Sequence, residues 1–253
     1  MSRPQLLRPQ RMLAQATQDA ARMRQPQGVG LDSPVVRQRM VARLTGLASE
    51  PVLRALSQVP RHRFVDPALA PQAYEDTALP IGHGQTISKP SVVARMLQLL
   101  SEGHTARGQG HLGRVLEIGT GCGYQAAVLC ALSRALVSVE RIAGLHVQAS
   151  ERLRAWQREH HPRLPLQLLH DDGSRTGLAI GPFDSIIAAA GGEHLPQAWL
   201  DWLAPGGRLV APVSEEGAQA LLVVDHETNQ GRTFYRRQRL EAVAFVPLRS
   251  GLE

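Results

Sequence analysis

From residue 114 onward the chain alternates short apolar runs with stretches of helical period. Runs at 115–118, 136–140, 166–170, 183–188 and 208–213 have strand length. The segments 124–133, 142–160 and 195–203 between them predict helices; Leu145, Ala149, Leu153 and Trp156 form one stripe of the second. Ala204-Pro205-Gly206-Gly207 closes the third. Strand–helix alternation implies a doubly wound α/β fold with a mostly parallel sheet and helices on both faces. The last runs, 220–225, 232–239 and 243–247, follow one another without helices and predict antiparallel strands at one edge.

The first hundred residues read differently. Val36, Met40, Leu44 and Leu47 predict a helix over 34–48. A second short helix follows Pro51, with Val52, Leu53 and Leu56, and Pro60 ends it. Residues 61–88 hold Pro67, Pro71, Pro80, Gly82 and Gly84 and predict a long ordered loop, a feature often tied to function. Ser88-Lys89-Pro90 predicts a helix start, with Ser88 as cap and proline in the first turn, and the helix runs over 92–100. Residues 103–113 predict a glycine-rich connector. Residues 1–33 carry Arg3, Arg8, Arg11, Arg22 and Arg24 among prolines and glycines and predict a solvated tail. The domain expected is therefore 34–253, built from 34–101, a core over 114–213 and terminal strands over 214–253.

Composition narrows the classes. With 253 residues, of which 43% are hydrophobic, the chain can bury one sizeable core. No apolar run approaches the roughly 20 residues of a membrane helix. Cys122 and Cys130 are the only cysteines and do not make a disulfide framework, which suits a reducing compartment; a cytoplasmic monomer is expected. The net charge is +6, but Lys89 is the only lysine among 28 basic residues and the arginines are spread along the chain. A nucleic-acid binder would concentrate them on one face, so no nucleic-acid partner is expected.

Candidate chemistry centres on Gly119-Thr120-Gly121-Cys122-Gly123, between a strand and a helix. Glycines there allow a tight turn and close approach of a ligand. A dinucleotide fingerprint would place a third spaced glycine where Tyr124 stands, and Glu117 would repel a pyrophosphate. A carboxylate suits a cationic ligand instead, and S-adenosylmethionine carries a sulfonium and an ammonium group. Glu140 ends the next strand, 21 residues after Gly119, where an acid can accept both ribose hydroxyls. Asp172 follows the third strand and can accept from an adenine amino group. Three acids at the ends of successive strands converge on one crevice.

The sequence resembles the protein-L-isoaspartate O-methyltransferases, on the class I S-adenosylmethionine-dependent methyltransferase (Rossmann-like) fold. Residues 115–125, Val-Leu-Glu-Ile-Gly-Thr-Gly-Cys-Gly-Tyr-Gln, look like the family's first motif, and Val139-Glu140-Arg141 like its second. The more specific run is 79–90, Leu-Pro-Ile-Gly-His-Gly-Gln-Thr-Ile-Ser-Lys-Pro, which generic methyltransferases lack. Pro60-Arg61-His62-Arg63-Phe64-Val65 and Phe245-Val246-Pro247-Leu248 also match, so the likeness spans about residues 35–250. The resemblance implies that Ser88 is the active-site residue. It implies that Glu117, Gly119, Thr120, Gly121, Gly123, Glu140, Arg141, Asp172 and Gly173 hold S-adenosyl-L-methionine. It implies that His83, Gln85, Thr86 and Ile87 meet an isoaspartyl peptide or protein. The chain departs from the family pattern at Asp171, at Ala189-Ala190-Gly191-Gly192-Glu193 and at Arg249.

Methyl transfer to a carboxylate needs no strong base, because a carboxyl of pKa near 4 is ionised at pH 7. A hydroxyl suffices to hold one oxygen while the other attacks. No His–Asp or Cys–His constellation is evident, Cys122 has no base beside it, and His160, His161 and His170 lack metal-ligand spacing, so no metal is expected. Two alternatives stay open: a methyltransferase of RNA or small molecules, and a non-catalytic member of the family. Ala188-Ala189-Ala190-Gly191 stands where base-amino methyltransferases carry an Asn/Asp-Pro-Pro-aromatic run, which weighs against that class.

Overall fold

Alternate residues of the central strands face two different apolar layers, as a period of two requires. The computed structural model describes residues 34–160, 164–175, 181–215 and 217–253; the predicted tail 1–33 lies outside them. Strands β3 (Arg114–Ile118), β4 (Ala135–Glu140), β5 (Leu166–His170), β6 (Phe183–Ala188), β7 (Leu203–Glu215), β8 (Ala218–Asn229) and β9 (Arg232–Ala242) form one sheet, ordered β5-β4-β3-β6-β7-β8-β9. The first five run parallel and β7, β8 and β9 pair antiparallel. Val115, Leu136, Ile187 and Val210 pack into one layer, with α1 (Pro34–Arg43), α2 (Glu50–Gln58), α3 (Pro90–Ser101), α5 (Tyr124–Cys130) and α6 (Ala143–His160). Leu116, Ile118, Val137, Val139 and Leu209 pack into the other, beneath Trp199 and Trp202 of and beside α7 (Gln197–Asp201). The predicted stripe of α6 is buried as expected: Leu145, Ala149, Leu153 and Trp156 are at most 4% exposed.

Several expected elements differ. The first helix stops at Arg43 and not at Ala48, because the chain turns through Gly46 at φ +87°. The expected loop 61–88 contains two 3-10 turns, Arg61–Phe64 and Pro67–Gln72, and an antiparallel hairpin, β1 (Leu79–Gly82) and β2 (Gln85–Ile87). Its tip needs positive φ at Gly82, His83 and Gly84. The connector 103–113 holds a short helix, α4 (His104–Gln109). Ala204-Pro205-Gly206-Gly207 bulges within β7, between the pairs Phe183↔Leu203 and Ser185↔Arg208. Residues 243–247 form no strand: Gln219 Oε1 accepts the Phe245 N–H (2.6 Å), and the chain crosses back to pair Gly191 with Pro247. Among the described residues no helix is long and apolar enough to cross a membrane.

The sheet order reverses beside β3, which has β4 on one side and β6 on the other. Loops leaving neighbouring strands there diverge to opposite faces and open a crevice at the carboxyl ends.

Candidate active site

That crevice is an open cleft, about 900 Å³ of space when the adjoining solvent is included. Its floor is Gly119, Thr120 and Gly121 after β3, Glu140 and Arg141 after β4, and Asp172 and Gly173 after β5. Its roof is the end of the hairpin, Gln85, Thr86, Ile87 and Ser88, together with Val246, Pro247, Leu248 and Arg249. The hairpin lies close over the loop: a Cβ on Gly121 would meet Ile81 Cδ1 at 3.3 Å. Gly119 and Gly121 have φ of +89° and +56°, the left-handed region that lets the loop fold back under a ligand.

The Glu140 carboxylate is buried and fixed by two amides, from Gly121 (2.8 Å) and Ile142 (3.0 Å). Each oxygen keeps a further acceptor site, so the group is held ready for two hydroxyls. Asp172 is more heavily used. Its Oδ1 accepts from Ser174 N (2.9 Å) and Oγ (2.6 Å), and its Oδ2 from Gly251 N (2.6 Å) with Arg175 3.2 Å away. Burial pushes this carboxyl up, but the bonds from Ser174 and Gly251 and the charge of Arg175 outweigh it and hold the group below the usual range. Arg141 turns away from the floor, toward Gly251 O (2.8 Å) and Glu253 (2.9 Å). Asp172 and Arg141 together therefore pin Gly251 and Glu253.

Three expected site residues stand elsewhere. Glu117 shares its strand face with Val115, so its carboxylate points beneath α5 and is 0% exposed, away from the cleft wall. Ser138 Oγ (2.5 Å) and Gln125 Nε2 (3.1 Å) donate to it, and Ser138 in turn bonds Thr120 Oγ1 (2.6 Å). Burial raises its pKa to about 8 against those two hydrogen bonds, with the Glu140 charge adding to the rise. Its bonds to Ser138 and Gln125 support the loop from beneath. Gly123 serves packing: a Cβ there would lie 2.9 Å from Leu153 Cγ, so the absent side chain seats α5 on α6. His83 sits exposed at the hairpin tip, φ +50°, with its ring where a Cβ on Gly144 would fall.

Because the native state keeps the Glu117 proton up to about pH 8 while an unfolded glutamate loses it near 4.3, native protein binds more protons in between. Stability contributed by the neutral carboxyl is complete below about pH 4.3 and is lost as pH rises toward 8. Glu117→Gln, which stays neutral, is expected to match the parent in urea at pH 4.5 and to exceed it increasingly up to pH 8. A constant difference across that range would show that Glu117 is ionised in the fold.

Ser88 also corrects an expectation. The N-cap of α3 is Lys89, without a side-chain cap, and the Ser91 N–H and hydroxyl are taken by Asp76 (2.8 Å each). Ser88 lies one residue outside, half-buried on the cleft wall, its carbonyl held by Arg61 Nη2 (2.7 Å). Asp76, Arg61, Ser138 and Gln125 were missed as supports. Only Arg61 and Gln125 lay within matched motifs, and nothing local in the sequence distinguishes the other two.

A strand order of this kind with a glycine loop at the reversal, and an acid ending the next strand, defines the class I S-adenosylmethionine-dependent methyltransferase fold. A structure from Plasmodium falciparum, a beta-aspartate methyltransferase in complex with S-adenosyl-L-homocysteine, has the same fold, with TM-score 0.70 and 24% identity over 84% of this chain and 98% of that one. The family model for protein-L-isoaspartate(D-aspartate) O-methyltransferase matches residues 29–253, and the chain belongs to that family. Among its relatives are protein-L-isoaspartate O-methyltransferases of Leptothrix cholodnii, 54% identical over 96% of this chain and 84% of the relative, and of Methylibium petroleiphilum, 51% identical over 98% and 90%.

Proposed function

We propose that the protein transfers a methyl group from S-adenosyl-L-methionine to the free carboxylate of L-isoaspartyl residues in damaged proteins, and that D-aspartyl residues share the site. The observation that supports this most is that Gln85–Ser88 of the hairpin and the Gly119–Gly121 loop line one cleft. The cofactor fits the floor: the Glu140 carboxylate has acceptor capacity for two ribose hydroxyls, and the positive-φ glycines leave room beside it. When bound, it supplies an electrophilic methyl group on a cationic sulfur, and transfer to a carboxylate is an in-line displacement with no proton to move.

The chain's own part is positioning. Ser88 Oγ, free of any helix-capping duty, donates to one carboxylate oxygen and leaves the other to attack. Glu140 fixes the nucleoside, Gly119 and Gly121 carry the backbone beneath it, and the hairpin and residues 246–249 exclude water. Such positioning is the main source of acceleration where no acid–base step is needed. The ester formed is a better leaving group than the carboxylate, so the following backbone amide nitrogen closes a succinimide with loss of methanol. Hydrolysis of that ring returns part of the damage to ordinary aspartate.

Mass spectrometry of an isoaspartyl peptide incubated with protein and cofactor tests this. The peptide should gain one methylene, then lose methanol to give the succinimide. A methylated peptide that never loses methanol would place the methyl group on another atom. On this reading the protein acts in the cytoplasm, on protein and not nucleic acid, as a monomer; that both cysteines are free and buried suits a reducing compartment.

A further inference from the structure

Arg61 is a fully buried arginine, 0% exposed, in the turn that precedes the hairpin. Its guanidinium lies behind the wall of the cleft. Nε donates to Ala73 O (2.8 Å), and Nη2 to Ser88 O (2.7 Å) and, more weakly, Thr77 O (3.5 Å). The group sits 4.8 Å over the ring of Tyr124, which lines the cleft. Nη1 is buried and has no hydrogen-bond partner among the described residues.

Its partners are all neutral. They are three carbonyls, the Tyr124 ring and the thiol of Cys122, the last two with pKa values raised by burial and so uncharged at pH 7. Among the described residues the acid whose charge acts on it is Asp76, and both Asp76 oxygens are bonded to Ser91. Asp76 keeps its charge, but Arg61 makes no ion pair with it, and burying a cation in this way is costly. A fold that does so beside the residue expected to hold an anionic substrate leaves a positive potential in the cleft.

We propose that Arg61 is a positioning residue with an electrostatic role: it anchors Ser88 through the carbonyl and makes the substrate pocket selective for an anion. The proposal rests on the carboxylate substrate proposed above. Held behind the wall, the guanidinium attracts the incoming carboxylate through a medium of low dielectric. It does so without a direct hydrogen bond, so it does not occupy the lone pair that attacks.

Three peptides of one sequence test this by calorimetry on the complex with S-adenosylhomocysteine: the isoaspartyl acid, its methyl ester, and the isoasparaginyl amide. The parent is expected to bind the acid at least about tenfold more tightly than the two neutral peptides. Arg61→Met should bring the acid down to the level of the amide, with ester and amide affinities and S-adenosylhomocysteine affinity within about threefold of the parent. Arg61→Lys should keep an acid preference while turnover falls, because one ammonium cannot replace the fork on Ser88 and Ala73. Equal binding of acid and amide by the parent overturns the proposal. So does an Arg61→Met protein that weakens all three peptides alike, the signature of a purely structural role. Should Arg61→Met not fold, Arg61→Gln replaces it, and equal acid preference in the Gln and Lys proteins overturns the proposal. Failure of the substrate reading is a separate result: the parent would then fail to methylate the isoaspartyl acid at all.

Discussion

Ser88→Ala is expected to lower turnover about a hundredfold, the loss typical of a nucleophile misplaced by roughly an ångström. The structure separates this effect from stability. Ser88 is outside α3, whose first turn is held by Lys89 O, Pro90 and Asp76, and its backbone carbonyl stays on Arg61 whatever the side chain. The unfolding free energy measured in denaturant should therefore change by no more than about 0.5 kcal/mol. The cofactor floor lies on other elements, so affinity for S-adenosylhomocysteine should stay near that of the parent. Turnover that falls only as far as lost stability explains would remove Ser88 from the chemistry.

The second large effect concerns Glu140. Glu140→Ala removes an acceptor for two ribose hydroxyls in a buried site, worth on the order of 2–3 kcal/mol, or roughly 30- to 150-fold in cofactor affinity. It also strips the Gly121 and Ile142 amides of their acceptor. Each orphaned buried amide costs about 1–3 kcal/mol, so the protein should also melt earlier. Calorimetry with S-adenosylhomocysteine, at a temperature where the variant is still folded, measures the first effect alone. Unchanged affinity would mean that the carboxylate only ties the loop together.

The parts of this fold that were legible in the sequence are those set by local periodicity. The strands at 115–118 and 183–188 and the stripe Leu145–Trp156 carry their period within a few residues, and the structure places them within one residue of expectation. The hairpin was not legible, because its strands are four and three residues long and are set by positive φ at a turn among prolines. Residues 243–253 depend on partners far away in sequence, Gln219, Gly191, Asp172 and Arg141, and no local pattern encodes such a crossing. At the site, the sequence carries residue type but not side-chain orientation. Glu117 looked like a ligand because an acid beside a glycine loop is conspicuous, yet strand alternation turns it beneath α5. Arg61 lay within a matched motif, but its burial was not legible, since burial of a charge leaves no mark on composition.

The most direct measurement is transfer of labelled methyl from S-adenosyl-L-methionine to an isoaspartyl peptide and, in parallel, to its aspartyl twin of the same sequence. The two differ only in which carboxyl of one residue is free. Label should enter the isoaspartyl peptide, be lost from it in base as methanol, and stay at background in the twin. Equal labelling of both peptides, or of neither, would contradict the proposal that the cleft beneath the hairpin holds a misplaced carboxylate.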